Sequence, residues 1–312
     1  MAKGQRQTAF SFEVLPPLKG SGTEGLFRTI DTLAEFNPSH INITTHRAEY
    51  VYKDLGGGMV QRQKIRRRPG TIAIAAAIQQ HYGIPVIPHI VCSGSTREDI
   101  EYMLLDLQFL GISEVLCLRG DKARDEATFQ PTGDGPSCAL ELIDQINRFN
   151  AGEFVDGTPI KVPGEPFRFG VACYPEKHEE APNLEADMQV LLEKERRGAA
   201  FAITQLFYDN AKYFAFVERA RQMGITIPII PGLKPLSKPA QLHTLPKTFH
   251  CDLPVELTRA LDQCKDDEAF RQVGIEWAVA QCRELKAAGV PCIHFYTMSA
   301  VGSIHEIAKR VF

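Results

Sequence analysis

The sequence lacks any apolar run of membrane-spanning length, and its first ten residues, MAKGQRQTAF, have no apolar core of the kind found in signal peptides. A membrane span needs about 20 mostly apolar residues, so we expect no membrane partner and no secretory leader. Cys-x-x-Cys pairs and cysteines at zinc spacing from histidines are also absent. We therefore expect no metal and eight reduced thiols, several of them buried in apolar runs. Reduced thiols in turn predict a cytoplasmic protein.

The sequence also has little net charge. Its 312 residues carry a formal charge of −3 at pH 7, so bulk electrostatics predict no nucleic-acid partner. One basic stretch, Gln61–Arg68, is local; it is typical of a solvated loop or helix face, and a contact for an anionic ligand or partner is the alternative. Low-complexity tracts, repeats and linkers are missing, and we expect a single catalytic domain over residues 1–312.

What the sequence does contain is a series of eight short apolar runs that alternate with helical patterns. Parallel strands arranged in this way close into a (β/α)8 TIM barrel, whose chemistry lies at the carboxyl ends of the strands. An open doubly wound sheet is the alternative, and the count of eight favours the barrel. About 60 residues between the last two runs leave room for extra helices. The runs are Phe10–Val14, His40–Thr44, Pro85–Cys92, Glu114–Leu118, Phe167–Cys173, Phe201–Leu206, Ile225–Ile230 and Pro291–Tyr296.

Two connecting segments need separate interpretation. Arg47–Pro69 is too long for a simple connection, and we expect a functional or mobile loop. Gly20–Gly25 matches G-x-G-x-x-G, but four residues separate Leu15 from Gly20, and no acid closes the second run. A dinucleotide fingerprint needs both features, so we interpret this segment as a flexible strand-to-helix loop.

Glu13 is the sharpest candidate for chemistry. In a strand over Phe10–Val14, Ser11 and Glu13 face the inside of the barrel and the three apolar side chains face outward. Burial among apolar neighbours raises the pKa of a carboxyl group, which suits a general acid near neutral pH. A structural carboxylate held in a salt bridge is the alternative from the pattern alone.

Other run ends also carry polar side chains. Arg119–Asp121 combines a guanidinium that can grip phosphate, a glycine that allows close approach, and a carboxylate that can accept from a ring N–H. His89 and the segment Tyr174–His178 offer stacking and hydrogen-bonding groups, and the amide of Gln205 suits the edge of a pterin. From the pattern alone, the alternative for Arg119–Asp121 is a loop whose charges pair with each other. For His89 and Tyr174–His178 it is ordinary polar strand ends, and for Gln205 it is an amide satisfied within the barrel.

Six short motifs along the chain resemble those of the 5,10-methylenetetrahydrofolate reductase family and occur in the same order as in that family. Each is weak alone, but together they cover Phe10 to about Thr297. The resemblance implies a (β/α)8 flavoprotein with ping-pong hydride transfer: NADH or NADPH reduces FAD and leaves, and methylenetetrahydrofolate is then reduced to 5-methyltetrahydrofolate for methionine synthesis. The motifs are FSFE (10–13, with Pro16-Pro17), LRGD (118–121), YPExH (174–178), AITQ (202–205), IPG (230–232) and HFYT (294–297).

The resemblance also implies roles for individual residues and a homo-oligomer. Glu13 would be the general acid that protonates the folate as its five-membered ring opens to an iminium ion, and Asp121 would stabilise that cation and tune the charge near the flavin. Gln205 would bind the pterin and in turn the nicotinamide, and Gln241 would reach the substrate. FAD contacts would come from Thr44, His89, Arg119, Gly120, Asp121, Tyr174, His178, Asp187 and Lys194.

The chain departs from the family pattern at several positions. The insertion after Thr44 is longer than in the bacterial pattern, and Lys234 stands where an apolar residue is expected. Leu245 takes the place of a phenylalanine that stacks on nicotinamide or folate, and Ser299-Ala300 the place of a common Asn-Arg pair. The choice between NADH and NADPH therefore stays open. A flavin-independent or partner-dependent reductase on the same barrel, and a pterin-dependent one-carbon transferase, are the alternative functions.

Overall fold

A computed structural model describes residues 7–123, 126–298 and 300–312; Ser299 lies outside the described residues. The strands in these ranges are β1 (Ala9–Val14), β2 (Ile41–Ile43), β3 (Glu49–Gly56), β4 (Met59–Ile65), β5 (Val86–Val91), β6 (Glu114–Leu118), β7 (Arg168–Cys173), β8 (Phe201–Thr204), β9 (Ile229–Ile230), β10 (Gly232–Leu233) and β11 (Cys292–Tyr296). The helices are α1 (Glu24–Ala34), α2 (Thr71–Tyr82), α3 (Arg97–Phe109), α4 (Ala139–Asn150), α5 (Leu184–Arg196), α6 (Asn210–Gln222), α7 (Gln241–Phe249), α8 (Val255–Asp262), α9 (Asp267–Ala287) and α10 (Val301–Val311).

The fold is an α/β barrel of the TIM class, as the eight apolar runs predicted. Among the described residues, nine strands form one parallel sheet in the order β10-β11-β1-β2-β5-β6-β7-β8-β9. Strands and helices alternate along the chain, and α7 and α8 are the extra helices that precede α9 between the last two barrel positions. The described part of one compact unit lies within Met1–Val14, Arg28–Ile41 and Phe169–Phe312, and a second unit comprises Leu15–Phe27 and Asn42–Arg168.

Nine strands fill eight barrel positions because Pro231 divides the seventh strand into β9 and β10. Proline has no N–H to donate to a strand ladder. β9 pairs with β8, whereas β10 pairs with β11. The Pro231 carbonyl accepts from the N–H of His294 at 2.9 Å, and the N–H of Gly232 is donated to Oγ1 of Thr204 at 2.9 Å. The backbone groups beside the break therefore keep hydrogen-bond partners.

The two faces of β1 are used as the alternation of its sequence predicted. The ring of Phe10 packs against Phe36 and Phe312, with centroids 5.9 and 5.3 Å apart, so this face meets helix ends. On the other face, Oγ of Ser11 lies 2.9 Å from Nδ1 of His294 on β11. Glu13 shares the face of Ser11 because it lies two residues further along the strand.

A loop over Arg47–Pro69 was the wrong prediction for most of this segment, because β3 and β4 pair as an antiparallel hairpin. The turn uses Gly56, Gly57 and Gly58, with φ of 82°, 61° and 78°, values that glycine adopts without a Cβ penalty. The signal was weak because both faces of the hairpin are largely exposed, so no apolar face marks the strands. Most of the basic stretch lies on β4, where it forms a solvated strand face.

All eight cysteines lie in described residues and are free thiols. Four of them in strand-like runs, Cys92, Cys117, Cys173 and Cys292, are buried, which confirms the prediction of small apolar thiols. Burial raises the pKa of Cys92 and of Cys173 to about 12, so these groups stay protonated at neutral pH.

In the described part of the chain, no helix has both the length and the apolar character that crossing a membrane requires.

Candidate active site at the strand ends

Glu13 is buried near the carboxyl end of β1, with 7 % of its surface exposed. It lies in register with Tyr296 of β11, and its main-chain carbonyl accepts a hydrogen bond from Oγ1 of Thr297 at 2.7 Å. Burial raises the pKa of Glu13 to about 8, and the positive charge of Lys234 opposes this rise. The carboxyl group is therefore protonated at pH 7, as a proton donor must be. A salt-bridged structural carboxylate would have a lowered pKa instead.

Lys234 follows β10 directly and is 3 % exposed. Its Nζ donates to the carbonyl oxygen of Met298 at 3.4 Å. Burial lowers the pKa of Lys234 to about 8, with the charge of Glu13 acting in the opposite direction. The sequence marked this lysine as a departure from the family pattern, but it did not indicate that the side chain is buried close to Glu13.

Tyr296 connects the ends of β11 and β8 across the divided seventh strand. Its hydroxyl donates to the carbonyl oxygen of Thr204 at 2.5 Å. The ring passes over Gly232, where an added Cβ would lie 2.6 Å from Cε2 of the tyrosine. Only glycine leaves room for this ring. The IPG and HFYT motifs contain these two residues, but a motif alone does not reveal that they pack together.

The two glutamines assigned to substrate both have partners within the protein. Oε1 of Gln205, directly after β8, accepts the N–H of Leu206 at 2.9 Å, which orients the amide. Oε1 of Gln241 accepts the N–H groups of Ser237 and Lys238 at 2.7 and 3.1 Å. Gln241 therefore orders the turn that leads into α7, and its contact with substrate stays a prediction.

Leu245 does not offer an exposed stacking surface. The side chain is 5 % exposed and belongs to a buried apolar cluster to which α7, α8 and α9 all contribute. Leu245 packs within this cluster. The stacking role that the family pattern assigns to a phenylalanine at this position therefore does not apply to it. The cluster comprises Leu206, Tyr208, Leu236, Leu245, Cys251, Leu257, Leu261 and Phe270.

Four of the residues assigned to FAD lie on α5 and on the loop that joins β7 to it. The rings of Tyr174 and His178 meet edge to face with centroids 4.7 Å apart. Oδ2 of Asp187, in the first turn of α5, accepts the N–H of His178 at 2.9 Å. Lys194 is buried and donates from Nζ to the carbonyl oxygen of Ala172 at 3.0 Å. This part of the first unit thus combines a cation, a carboxylate and an aromatic pair.

His89 and Thr44 belong to the second unit. His89 is buried on β5, and its Nε2 lies 3.3 Å from Nδ2 of Asn42. Burial lowers the pKa of His89 to about 3, assisted by the charge of His46, so the ring is neutral at physiological pH. Oγ1 of Thr44 lies 3.2 Å from Nε2 of His46. His46 is a polar neighbour of this strand end that the sequence did not single out.

Arg119, Gly120 and Asp121 follow β6 in the second unit. The Arg119 guanidinium lies 4.9 Å from the centre of the Phe129 ring, a cation–π distance. Gly120 has φ of 79°, and an added Cβ would lie 2.8 Å from Cβ of Ser93. The main-chain oxygen of Asp121 accepts from Oγ of Ser93 at 2.8 Å, and the residue itself is exposed. The tight backbone turn therefore presents Asp121 to solvent.

These features define a class: α/β barrel proteins with a buried carboxyl group and further polar side chains at the strand ends, where barrels of this type carry their chemistry. Within this class the family is known. A profile of the family described as methylenetetrahydrofolate reductase matches residues 1–311, and the chain belongs to this family.

Individual relatives agree with the family. An Arabidopsis thaliana protein named methylenetetrahydrofolate reductase (NADH) 1 is 33 % identical over 317 residues, covering 97 % of this chain and 49 % of the relative. The 5,10-methylenetetrahydrofolate reductase of Escherichia coli is 29 % identical over 314 residues, covering 100 % of this chain and 93 % of the relative. The chain thus spans about half the length of the plant relative and nearly the whole length of the bacterial one.

A solved structure shares the fold. An uncharacterized protein from Clostridium thermocellum that binds two copies of 5-methyl-5,6,7,8-tetrahydrofolic acid aligns with a TM-score of 0.58 at 15 % identity. The alignment covers 97 % of this chain and 95 % of that one. At this identity the likeness supports the barrel architecture alone.

Proposed function

We propose that this chain reduces 5,10-methylenetetrahydrofolate to 5-methyltetrahydrofolate by ping-pong hydride transfer from NADH or NADPH through FAD, supplying methyl groups for methionine synthesis. Family membership supports the reaction, and the match over residues 1–311 supports a single catalytic domain. The observation that carries the proposal is a carboxyl group, Glu13, that is buried at a strand end and whose pKa burial raises to about 8. The proposal includes a cytoplasmic location, in keeping with the free thiols, and a homo-oligomer.

The chemistry of the side chains assigned to FAD fits a dinucleotide. When bound, FAD supplies the ring that carries hydride from the nicotinamide nucleotide to the folate. Within the first unit, the Lys194 ammonium suits a phosphate group, and the Asp187 carboxylate suits ribose hydroxyls. Within the second unit, Arg119 offers a guanidinium, and the neutral ring of His89 can hydrogen-bond without bringing a charge.

Glu13 supplies the proton in the folate step. The O–H bond of its carboxyl group breaks, and a new N–H bond forms on the folate nitrogen whose bond to the one-carbon unit is breaking. The electron pair of that C–N bond goes to the nitrogen, and the lone pair of the other folate nitrogen forms a C=N bond to the one-carbon unit, which gives an iminium cation. The Thr297 hydroxyl, bonded to the main chain of Glu13, holds this strand end in place. The carboxylate of Asp121 would stabilise the cation.

The test is a spectrum of the purified chain reconstituted with FAD. We expect a flavin absorption band that NADH or NADPH bleaches and that methylenetetrahydrofolate then restores, with 5-methyltetrahydrofolate as the product. Stopped-flow reduction with each nucleotide decides the donor. A protein that cannot retain FAD but still reduces the folate would support the flavin-independent or partner-dependent alternative. A protein that transfers a one-carbon unit and ignores both nucleotides would support the transferase.

Asp121→Asn should raise the midpoint potential of the bound flavin and slow folate reduction by about tenfold, because a carboxylate near a developing cation stabilises it. Spectroelectrochemistry measures the potential and stopped-flow mixing measures the rate. Asp106→Asn removes the same charge from the exposed surface of α3 and should change neither quantity. If Asp121→Asn also leaves both quantities at their wild-type values, Asp121 does not belong to the site.

A further inference from the structure

Lys234 is a buried cation that the strand register places at the level of Glu13. Glu13 on β1 pairs with Tyr296 on β11, and Leu233 on β10 pairs with Phe295. The residue after Leu233 is Lys234, so continuing this register by one residue places it beside Tyr296. Neighbouring strands lie about 4.8 Å apart, which puts the Cα atoms of Glu13 and Lys234 at about 10 Å across two strand spacings. Long side chains cover such a distance when they point to the same face.

The side chains of Glu13 and Lys234 do share a face. Gly232 lies two residues before Lys234, and its missing Cβ makes room for the Tyr296 ring, so this face of β10 and the Tyr296 side chain are on one side of the sheet. Register partners and residues two apart on a strand point to the same side. Lys234, Tyr296 and Glu13 therefore form one layer across three neighbouring strands, in which Glu13 and Lys234 are buried.

Several titratable groups lie in or beside this layer in the described part of the first unit. Glu13 faces Lys234 after β10 and Tyr296 on β11, and Tyr296 in turn faces Cys173 and Tyr174 at the end of β7. The buried ring of His294, two residues before Tyr296 on the same face, lies 5.3 Å from the Tyr296 ring. Burial raises the pKa of Tyr296 well above its ordinary value and that of Cys173 to about 12, so both are neutral at pH 7. Lys234 is the group whose positive charge lowers the pKa of Glu13.

We propose that Lys234 is a positioning residue for proton transfer: its ammonium stabilises the buried carboxylate that Glu13 becomes when it gives its proton to the folate. This inference rests on the proposed function, in which Glu13 is the acid. The step is the proton transfer already described, and no further reactant is needed. A carboxylate left in this layer without a cation would be strongly disfavoured, since a buried charge requires a partner. Lysine at this position therefore makes Glu13 a better acid.

The sign of the effect follows from the charges. Lys234 lowers the pKa of Glu13, so its removal raises that pKa above about 8. Folate reduction needs protonated Glu13, and its rate falls as the pH rises through this pKa. In Lys234→Met the pH at which the rate falls should be higher by about one unit or more, the usual effect of losing a nearby opposite charge. At pH values where Glu13 is fully protonated, the rate of folate reduction should be about tenfold lower than in wild type, because a weaker acid transfers its proton more slowly.

The first measurement is stopped-flow oxidation of the reduced holoenzyme by methylenetetrahydrofolate across a pH series. Lys265→Met, at an exposed position between α8 and α9, is the matched control and should have the wild-type profile. Reduction of the flavin by NADH should stay within about twofold of wild type in Lys234→Met, since that step needs no proton from Glu13. In a Glu13→Gln background, Lys234→Met should cause no further loss, because the two residues act on one step.

The second measurement needs no substrate. The infrared band of the protonated Glu13 carboxyl group, identified as the difference between wild type and Glu13→Gln, is followed through a pH titration. Its midpoint should rise by about one pH unit or more in Lys234→Met and stay near wild type in Lys234→Arg, which keeps the charge. A lysine that only packs the barrel would leave the midpoint unchanged. If Lys234→Met does not fold, Lys234→Gln removes the charge with less change in polarity.

The outcomes separate the two proposals. A wild-type protein that neither accepts hydride from a nicotinamide nucleotide nor reduces the folate contradicts the proposed function. A wild-type protein that does both, together with a Lys234→Met or Lys234→Gln variant that keeps the wild-type pH profile and infrared midpoint, overturns the role of Lys234 alone.

Discussion

Glu13→Gln will slow the reduction of methylenetetrahydrofolate by about 10²- to 10⁴-fold, the usual contribution of a general acid, while NADH reduces the flavin at nearly the wild-type rate. The substitution keeps the size of the side chain and removes the proton that the folate nitrogen receives. Stopped-flow mixing separates the two half-reactions. Glu256→Gln, in the exposed first turn of α8, is the matched control and should affect neither. Equal loss of both half-reactions would rule out a dedicated acid role.

The same variant will be more stable than wild type at neutral pH. The pKa of Glu13 is about 8 in the folded protein against an ordinary value of 4.5, so the folded state holds a proton that the unfolded chain releases. Stability is therefore lost as the pH rises from about 4.5 towards 8. Glutamine removes this loss, and at pH 7 the gain is roughly 1–3 kcal/mol. Thermal melts of both proteins at pH 4.5 and pH 7 measure it. A salt-bridged Glu13 would reverse the sign.

Gly274→Ala will destabilise the protein by about 1–3 kcal/mol, although alanine favours a free helix over glycine by about 1 kcal/mol. Gly274 lies within α9 against the chain segment that carries Lys234. An added Cβ would lie well under 3.0 Å from the carbonyl oxygen of Leu236. That atom is backbone and cannot rotate away, so the helix or the segment must move. Because Leu236 is two residues from Lys234, we expect slower folate reduction as well.

Gly302→Ala is the control for this prediction. Gly302 lies in α10 with open space around its missing Cβ, so alanine should be neutral or stabilise the protein by up to about 1 kcal/mol. Thermal unfolding of the two variants under one set of conditions gives the comparison. The same chemical change should thus lower the melting temperature by several degrees at one helix position and not at the other. Equal melting temperatures would show that α9 accommodates the methyl group.

The fold was largely predictable because each strand is buried on both faces and reads as an apolar run. Parallel barrel strands behave in this way, and the runs therefore mark the eight barrel positions. The hairpin β3–β4 escaped detection because its side chains are largely exposed, so apolar spacing gives no sign of it. The division of the seventh strand at Pro231 was also missed. Proline fits at this position because the strand stops pairing with β8 and begins pairing with β11 there. A linear sequence does not show such a change of neighbour.

The sequence by itself determined the barrel class, the family and the candidate acid, because run spacing, motif order and strand alternation are local properties of the chain. Only the tertiary structure decided the surroundings of these residues. Glu13 and Lys234 are 221 positions apart in the sequence, and they reach one buried layer because β10, β11 and β1 are neighbours in the sheet. Burial and mutual charge then set their pKa values. These quantities depend on distance and solvent exclusion, and folding creates both.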